Sequence, residues 1–372
     1  MTSFAGEFDV AIIGAGMAGA SLAAECAPHA RVLLVEAEDT PGYHTTGRSA
    51  AFWEETYGGP GVVPLTMASG RFLREGGFLS PRGALNIGQA ADRERIGNFI
   101  ATYEALGATL HLMDRSALEE RICGLRPEWV IGIWEPECAD IDVAGLHQHY
   151  LAASKRTGSV LRVRARVERI EREGAGWRIA WGAGETGGAA RAAILANAAG
   201  AWADMLAARA GAKPLGIQPL RRTIVQVRTD PAPADELPLV LGINEDFYFK
   251  PQGGRLWLSP HDEIPDVAGD AAPDELDVAI AIDRFEHVID WKIEAVERRW
   301  AGLRSFAPDR LPVYGFDPAV PGLFWFAGQG GFGIQTAPAA ARLGAQLLLG
   351  LPRDDLTETI DASRYCPSRF SA

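Results

Sequence analysis

Gly14, Gly16 and Gly19 stand in the stretch GAGMAG, and Glu36 follows 20 residues after Gly16. Glycines at this spacing can bring a backbone close to a pyrophosphate. Gly14 permits a tight turn, Gly16 has no Cβ to hold phosphates away, and Gly19 lets the following helix lie close on a sheet. Met17 and Ala18 offer the free N–H groups of a helix N-terminus, whose positive dipole end favours anions. Glu36, with Ala37 beside it, falls where an acid accepts the hydroxyls of a ribose.

Glycines alone do not make such a site, so the elements around them matter. Residues 8–13 form a short apolar run of strand type, a helix of small residues is predicted from Ala18 to about Ala27, and Arg31 to Val35 reads as a second strand. That is a complete βαβ opening for a dinucleotide, and it suits NAD and FAD alike. Two later stretches bear on the choice. Residues 192–204 read as a buried strand followed by a helix start with Trp202 and Asp204. Residues 322–349 read as strand, glycine-rich turn and helix, with a helix N-terminus near Gln335 and Thr336. That second dipole end suits an electron-rich ring edge. Between the two halves, residues 41–58 mix turn residues, Arg48, Ser49, the small Ala50 and Ala51, and then Phe52, Trp53, two acids and Tyr57. Such a loop can follow a long cofactor past its pyrophosphate and leave room for a flat ring.

Composition narrows the function classes. The chain has 372 residues, 47% hydrophobic and 23% charged, enough for one large or two modest domains with a real core. Its net charge of −12 argues against a nucleic-acid partner, because phosphates call for a basic face. Cys26, Cys123, Cys138 and Cys366 form no framework, as in a reducing compartment. Residues 10–27 are apolar enough to imitate a membrane span, but their glycines and Glu25 fit a strand, turn and helix better. No stable membrane span and no signal peptide are read, and a cytoplasmic protein is expected. No metal site is expected; His147 and His149 are the nearest approach to a ligand pair. Residues 159–181, 216–228 and 247–259 read as strands, 274–300 as helix, and 229–238 as a surface loop that could serve as a lid.

The ordered stretches GYHTTGRSAA, NAAGAWAD, WAGLRSFAPD and GQGGFGIQTAP, with the opening βαβ, resemble the FAD-dependent amine and amino-acid oxidoreductases of the D-amino-acid oxidase superfamily, and among them the bacterial D-arginine dehydrogenases most. The resemblance implies an α/β fold: a Rossmann-like doubly wound FAD-binding domain and an α+β substrate domain with a mixed, largely antiparallel sheet. It implies discontinuous domains, with 1–82, 140–215 and 303–372 holding FAD and 83–139 and 216–302 holding substrate. It further implies contacts to FAD from Thr46, Arg48, Ser49, Ala50 and Ala51, from Val167 at the adenine, and from Ala199, Gly200, Trp202 and Gly302. In the C-terminal turn, Gly331, Gly333, Ile334, Gln335 and Thr336 would meet the flavin. GYHTTGRSAA matches sequences with free FAD, so a non-covalent cofactor is expected, with His44 a loop residue bonded to backbone.

The same resemblance places the substrate. Arg222 in QPLRRT and Arg304 in WAGLRSF match carboxylate-binding arginines, and Tyr248 and Tyr57 match tyrosines of the pocket. A guanidinium meets a carboxylate through parallel charge-assisted bonds. Read from the residues alone, Arg222 could be a solvated charge and Arg304 part of a buried ion pair. Gly331 would border both flavin and substrate. D-Arginine dehydrogenases carry an acid where LSPRGALNI has Ala84, so a broad or apolar D-amino acid is expected, with Phe52, Glu54, Leu239 and Leu241 as pocket walls and Glu54 a possible charge. The implied reaction is hydride transfer from Cα to flavin, giving an imine that hydrolyses to a 2-oxo acid and ammonia. Oxidation of N-methyl amino acids, glycine or other secondary amines is an alternative, although no cysteine lies near RSFAPD for covalent FAD. A flavin-binding regulatory subunit without turnover is an alternative of another class. Quinone or oxygen is the acceptor; with no lysine placed to assist oxygen and Lys250 expected to point away, a dehydrogenase is favoured over an oxidase.

Overall fold

A computed structural model describes residues 3–182 and 187–370. The opening apolar run lies in the middle of an eight-stranded sheet. Ser3–Ile13 pairs in parallel with Gly188–Asn197 on one side and Val32–Val35 on the other. Val160–Arg162 extends the sheet beyond Val32–Val35, and Leu323–Ala327 pairs in parallel with the C-terminal part of Gly188–Asn197. The 159–181 segment contributes the antiparallel pair Val167–Glu173 and Gly176–Trp181 at the edge. Successive side chains of a strand face opposite ways. Val10 and Ile12 therefore pack with the helices Met17–Cys26 and Ala337–Leu349, while Ala11 and Ile13 pack with Trp177, Trp181 and Leu206. With both faces covered, the strand needs an unbroken apolar run rather than alternation.

A second sheet of ten strands is mixed and mostly antiparallel. Its spine is the long pair Gln218–Asp230 and Lys292–Phe306. Arg255–Ser259, Tyr248–Gln252, Leu239–Gly242, Ala84–Gln89, Trp129–Glu135 and His111–Asp114 follow in order. The one parallel junction among the longer strands is Leu239–Gly242 with Ala84–Gln89. Fold class thus agrees with the sequence reading. The strand Lys292–Phe306 runs unbroken through residue 303, so Arg304 remains in this sheet. The helix expected over 274–300 is shorter. Glu275–Glu286 is helical, but Lys292 begins a strand whose buried and open residues alternate towards Phe306. Its charged residues imitate a helix face, and pairing with Gln218–Asp230 decides for strand. Residues 247–259 form two strands, because Gly253 and Gly254 adopt left-handed φ angles of 58° and 69° and turn the chain. Among the described residues no helix is long and apolar enough to cross a membrane.

Close backbone approach fixes the first turn. A Cβ on Gly14 would stand 2.4 Å from the Ala198 carbonyl oxygen, and one on Gly19 would stand 1.8 Å from the Gly14 carbonyl oxygen. Because the second obstacle is backbone, it cannot step aside. Gly19→Ala should therefore push the helix Met17–Cys26 off the sheet, at a cost of about 1–3 kcal/mol. Thermal melting and FAD content of the purified variant test this: a lower Tm and depleted cofactor are expected.

Candidate functional site

One long cleft, with about 2100 Å³ of empty space including its mouth, begins at Glu36 and Val167 and ends at Arg222 and Tyr248. Its first wall is built from the βαβ turn. Gly14 leaves the strand at φ 101°, and Gly16 is the N-cap of the helix Met17–Cys26. Thr46 reaches across, and its Oγ1 accepts a 2.9 Å hydrogen bond from the Met17 N–H. A Cβ on Gly16 would crowd that oxygen at 3.2 Å. Glu36 lies on the cleft with its carboxylate oriented by the N–H groups of Ala15 (2.8 Å) and Glu38 (3.0 Å). His147 secures the same turn from behind, its Nε2 2.9 Å from the Ala15 oxygen. A buried histidine on a helix carries no sequence signal for this role.

Of the expected cofactor residues, Gly14, Gly16, Met17, Ala18, Glu36, Ala37, Thr46, Arg48, Ser49, Ala50, Ala51, Val167, Ala199, Gly200, Trp202, Gly302, Gly331, Gly333, Ile334 and Gln335 line the cleft. Gly19 and Thr336 do not. Gly19 acts through helix packing, and the Thr336 hydroxyl is engaged by the Phe332 carbonyl 2.8 Å away. Arg48 lines the cleft, but its guanidinium donates to the carbonyls of Ala271 (2.9 Å) and Ala301 (3.2 Å) and pairs with Asp270. It therefore fastens the 270–271 loop instead of offering a free cation. His44 does not bond backbone as expected; its Nε2 lies 3.2 Å from the Glu38 carboxylate, and its buried Nδ1 has no partner within the protein. Arg166, Arg209 and Met205 also line the first end, and nothing in their local sequence marked them. Glycines that a Cβ would block, a seated ribose acid and an unpartnered imidazole nitrogen all fit a flavin dinucleotide.

At the far end Arg222 and Arg304 come together. Arg222 pairs across the strands with Gly302, and Arg304 with Leu220. Two residues apart on adjacent antiparallel strands, they are diagonal neighbours on one face. Arg222 is 6% exposed; its Nε donates to the Asp262 carbonyl at 2.8 Å, and its Nη2 is buried without a hydrogen bond. Arg304 Nη1 donates to the Tyr57 hydroxyl at 2.6 Å, and its buried Nε is likewise unpartnered. Because the Tyr57 oxygen accepts from Arg304, its O–H remains free to donate. Burial pushes the Tyr57 and Tyr248 hydroxyls up to about 12, so both stay neutral donors across the working pH range. Phe52, Tyr57 and Tyr248 form a ring cluster with centroids 5.3 and 6.0 Å apart, and Ile224 completes an apolar wall.

Several expected pocket residues lie behind this wall. Leu239, Leu241 and Ala84 are buried in the layer that backs Phe52 and Tyr248, outside the cleft lining. Glu54 is neither a pocket charge nor solvated. It is 2% exposed and turned towards Asn86, whose Nδ2 stands 3.4 Å from its Oε1. Glu135 shares that interior, accepting from the Glu55 N–H and the Thr56 hydroxyl. Gln335 ties this segment to the C-terminal turn, donating to the Tyr57 carbonyl at 3.2 Å and accepting from the Glu54 N–H at 3.3 Å. Lys250 is buried against Asp140, away from the cleft. The loop 229–238 lines no part of the cleft; Arg82 holds it through the carbonyls of Asp235 and Leu237. All four cysteines are free, and the described residues contain no group of three or more potential ligands for a metal ion.

Two predictions follow from packing and charge. A Cβ on Gly331 would stand 2.3 Å from both Arg304 Nη1 and the Tyr57 oxygen, the mobile ends of two side chains. Gly331→Ala should fold with nearly unchanged Tm and raise KM by roughly tenfold, as expected when one charged hydrogen bond is lost. Steady-state kinetics on the FAD-loaded variant measure it. Burial drives the Glu54 carboxyl up to about 7, and burial together with Glu54 drives Glu135 well above its ordinary value. The folded state therefore binds protons that the unfolded state has released above about pH 4.5. Stability should be full below that pH and fall as pH rises through about 7. Glu54→Gln should flatten the fall, and melting between these limits reads it.

A model of the DAO family, described as FAD dependent oxidoreductase, matches residues 9–347. The glycine oxidase of Geobacillus kaustophilus is 25% identical over 360 residues, covering 92% of this chain and 93% of the relative. A crystal structure of glycine oxidase from that organism superposes with a TM-score of 0.83 at 22% identity, covering 98% of this chain and 99% of that one. The L-proline dehydrogenase of P. horikoshii superposes with a TM-score of 0.83 at 21% identity, covering 100% of this chain and 99% of that one.

Proposed function

Because the chain belongs to the DAO family of FAD dependent oxidoreductases, we propose that it acts on amino acids and that its substrates are D-amino acids with uncharged, apolar side chains. The supporting observation is the pairing of Arg222 and Arg304 on one face, each with a buried N–H group that makes no hydrogen bond, above a wall of Phe52, Tyr57, Ile224 and Tyr248. Each hydrogen bond to a charged group contributes roughly 1.5–3 kcal/mol, so a clamp of several bonds suffices to orient a small substrate. The wall presents no acid, which disfavours a cationic side chain. The D configuration is supported by the resemblance of the sequence motifs.

In this reading FAD, held non-covalently, supplies the hydride acceptor at flavin N5. Arg222 and Arg304 take the substrate carboxylate, and the Tyr57 hydroxyl donates to it. The apolar wall excludes water and turns the Cα–H towards the ring, a gain in proximity and orientation. Gly331 keeps its backbone low enough for substrate and cofactor to approach. With the amine neutral, the Cα–H bond breaks, the nitrogen lone pair forms C=N, and the hydride leaves carbon with both electrons. No general base on the protein is required. The iminium product takes up water, releasing ammonia and a 2-oxo acid. Oxidation of glycine or N-methyl amino acids is the second reading, favoured by the likeness to glycine oxidase along nearly the whole chain.

Mixing the holoprotein without oxygen with a panel of amino acids separates these readings. Apolar D-amino acids are expected to bleach the flavin absorbance. Bleaching confined to glycine and secondary amines would establish the second reading, and no bleaching by any member would rule out both.

A further inference from the structure

Two carboxylates stand against the clamp: Asp262, whose side chain is buried 3.7 Å from Arg222 Nε, and Glu263, which reaches both arginines. Glu263 Oε1 lies 3.5 Å from Arg222 Nη2, 3.4 Å from Arg304 Nη2 and 2.8 Å from Arg310 Nη2. Glu263 is outside the cleft lining, so it meets the guanidinium ends from behind and blocks no space. The segment that carries it is well anchored. The Asp262 carboxylate accepts from the Thr223 N–H at 2.7 Å and hydroxyl at 2.9 Å, and Ile264–Pro265 pairs with Leu220 and Arg221. The Glu263 backbone is thus fixed, while its side chain, about one-third exposed, can lean towards either set of arginines.

Its distances show the balance. The bond to Arg310 is tight; those to the two clamp arginines are long. Arg310 is itself half exposed and lies over the Phe306 ring, 4.0 Å from its centre, outside the cleft lining. A carboxylate bound in the cleft would compete with Glu263 for the charge of the same two guanidinium groups. Resting on the carboxylate-clamp reading above, we infer that Glu263 is an affinity-setting residue, an internal rival that weakens the hold of Arg222 and Arg304 on carboxylates, and that Arg310 limits this rivalry by drawing Glu263 away. The chemical need is plain. Substrate and product both carry the carboxylate, so a clamp with no counter-anion would retain the product.

The inference sets two signs. Removing the Glu263 charge should tighten carboxylate binding. Removing Arg310 should weaken it, because Glu263 then turns its full charge on the clamp. The test titrates FAD-loaded protein with benzoate at constant pH and ionic strength and follows the flavin absorbance. Glu263→Gln should lower the benzoate Kd roughly tenfold, as for one charged contact, and lower the substrate KM without raising kcat. Arg310→Gln should raise both Kd and KM. A Kd that is unchanged or higher in Glu263→Gln would overturn the inference and make Glu263 a scaffold residue. Should that variant not fold, an unchanged or lower Kd in Arg310→Gln overturns it equally. Wild-type protein that ignores benzoate would remove the clamp itself, a separate failure that takes the inference with it.

Discussion

Two guanidinium groups held close together on one strand pair are the constraint around which the substrate end is built. Their Nη2 ends approach one carboxylate oxygen at 3.4 and 3.5 Å. Like charges brought this near one another repel by some kcal/mol even at an effective dielectric of about 20. The protein tolerates this because antiparallel pairing fixes the backbone beneath both, through the register Arg222 to Gly302 and Arg304 to Leu220. It also surrounds them with partial compensation: the Asp262 carbonyl, the Tyr57 hydroxyl and Glu263. Two buried N–H groups, at Arg222 Nη2 and Arg304 Nε, remain without a hydrogen bond, and both residues line the cleft. A strained electrostatic arrangement held by rigid strands is a binding site prepared before its ligand arrives.

The segment from Phe52 to Tyr57 connects this charge to the cofactor end. Phe52 and Tyr57 face the cleft, while Trp53, Glu54, Glu55 and Thr56 are buried behind it. Gln335, at the start of the C-terminal helix region, bonds both Glu54 and Tyr57 and so keeps the two halves in step. Buried carboxyls at Glu54 and Glu135 can be understood in that light. Each has polar partners, but neither has a cation among its hydrogen bonds, so the interior favours their protonated forms.

The cofactor end was legible because it depends on backbone geometry that few residue types permit. Gly14, Gly16 and the acid at 36 announce themselves by type and spacing, and the structure seats them on one cleft. That Arg222 and Arg304 meet was legible only through motif resemblance; on local pattern alone both had ordinary structural explanations. Charge placement misled most. Glu54 lies among pocket residues in the chain but points inward, because the strand Phe52–Trp53 ends before it and a turn begins, the Tyr57 N–H donating to the Glu54 carbonyl at 3.3 Å. Lys292 to Trp300 has a helical look that strand pairing overrides. Glu263 had no signal at all: it lies in an unremarkable polar loop, and its role exists only once two distant strands place their arginines beside it.

The strand Gly188–Asn197 lies between Ser3–Ile13 and Leu323–Ala327 and supports the Ala198 to Trp202 part of the cleft. Three pieces of one cradle are thus separated by most of the polypeptide. A ribosome exposes the phosphate turn at Gly14 long before the turn from Gln329 to Gln335 that closes the other wall. Contacts so remote in sequence form slowly and leave apolar strand edges uncovered meanwhile. Between those two moments the nascent chain carries a half-built cradle, and cellular supply of the vitamin-derived prosthetic group can stabilise the molecule only after the Gln329–Gln335 turn has arrived.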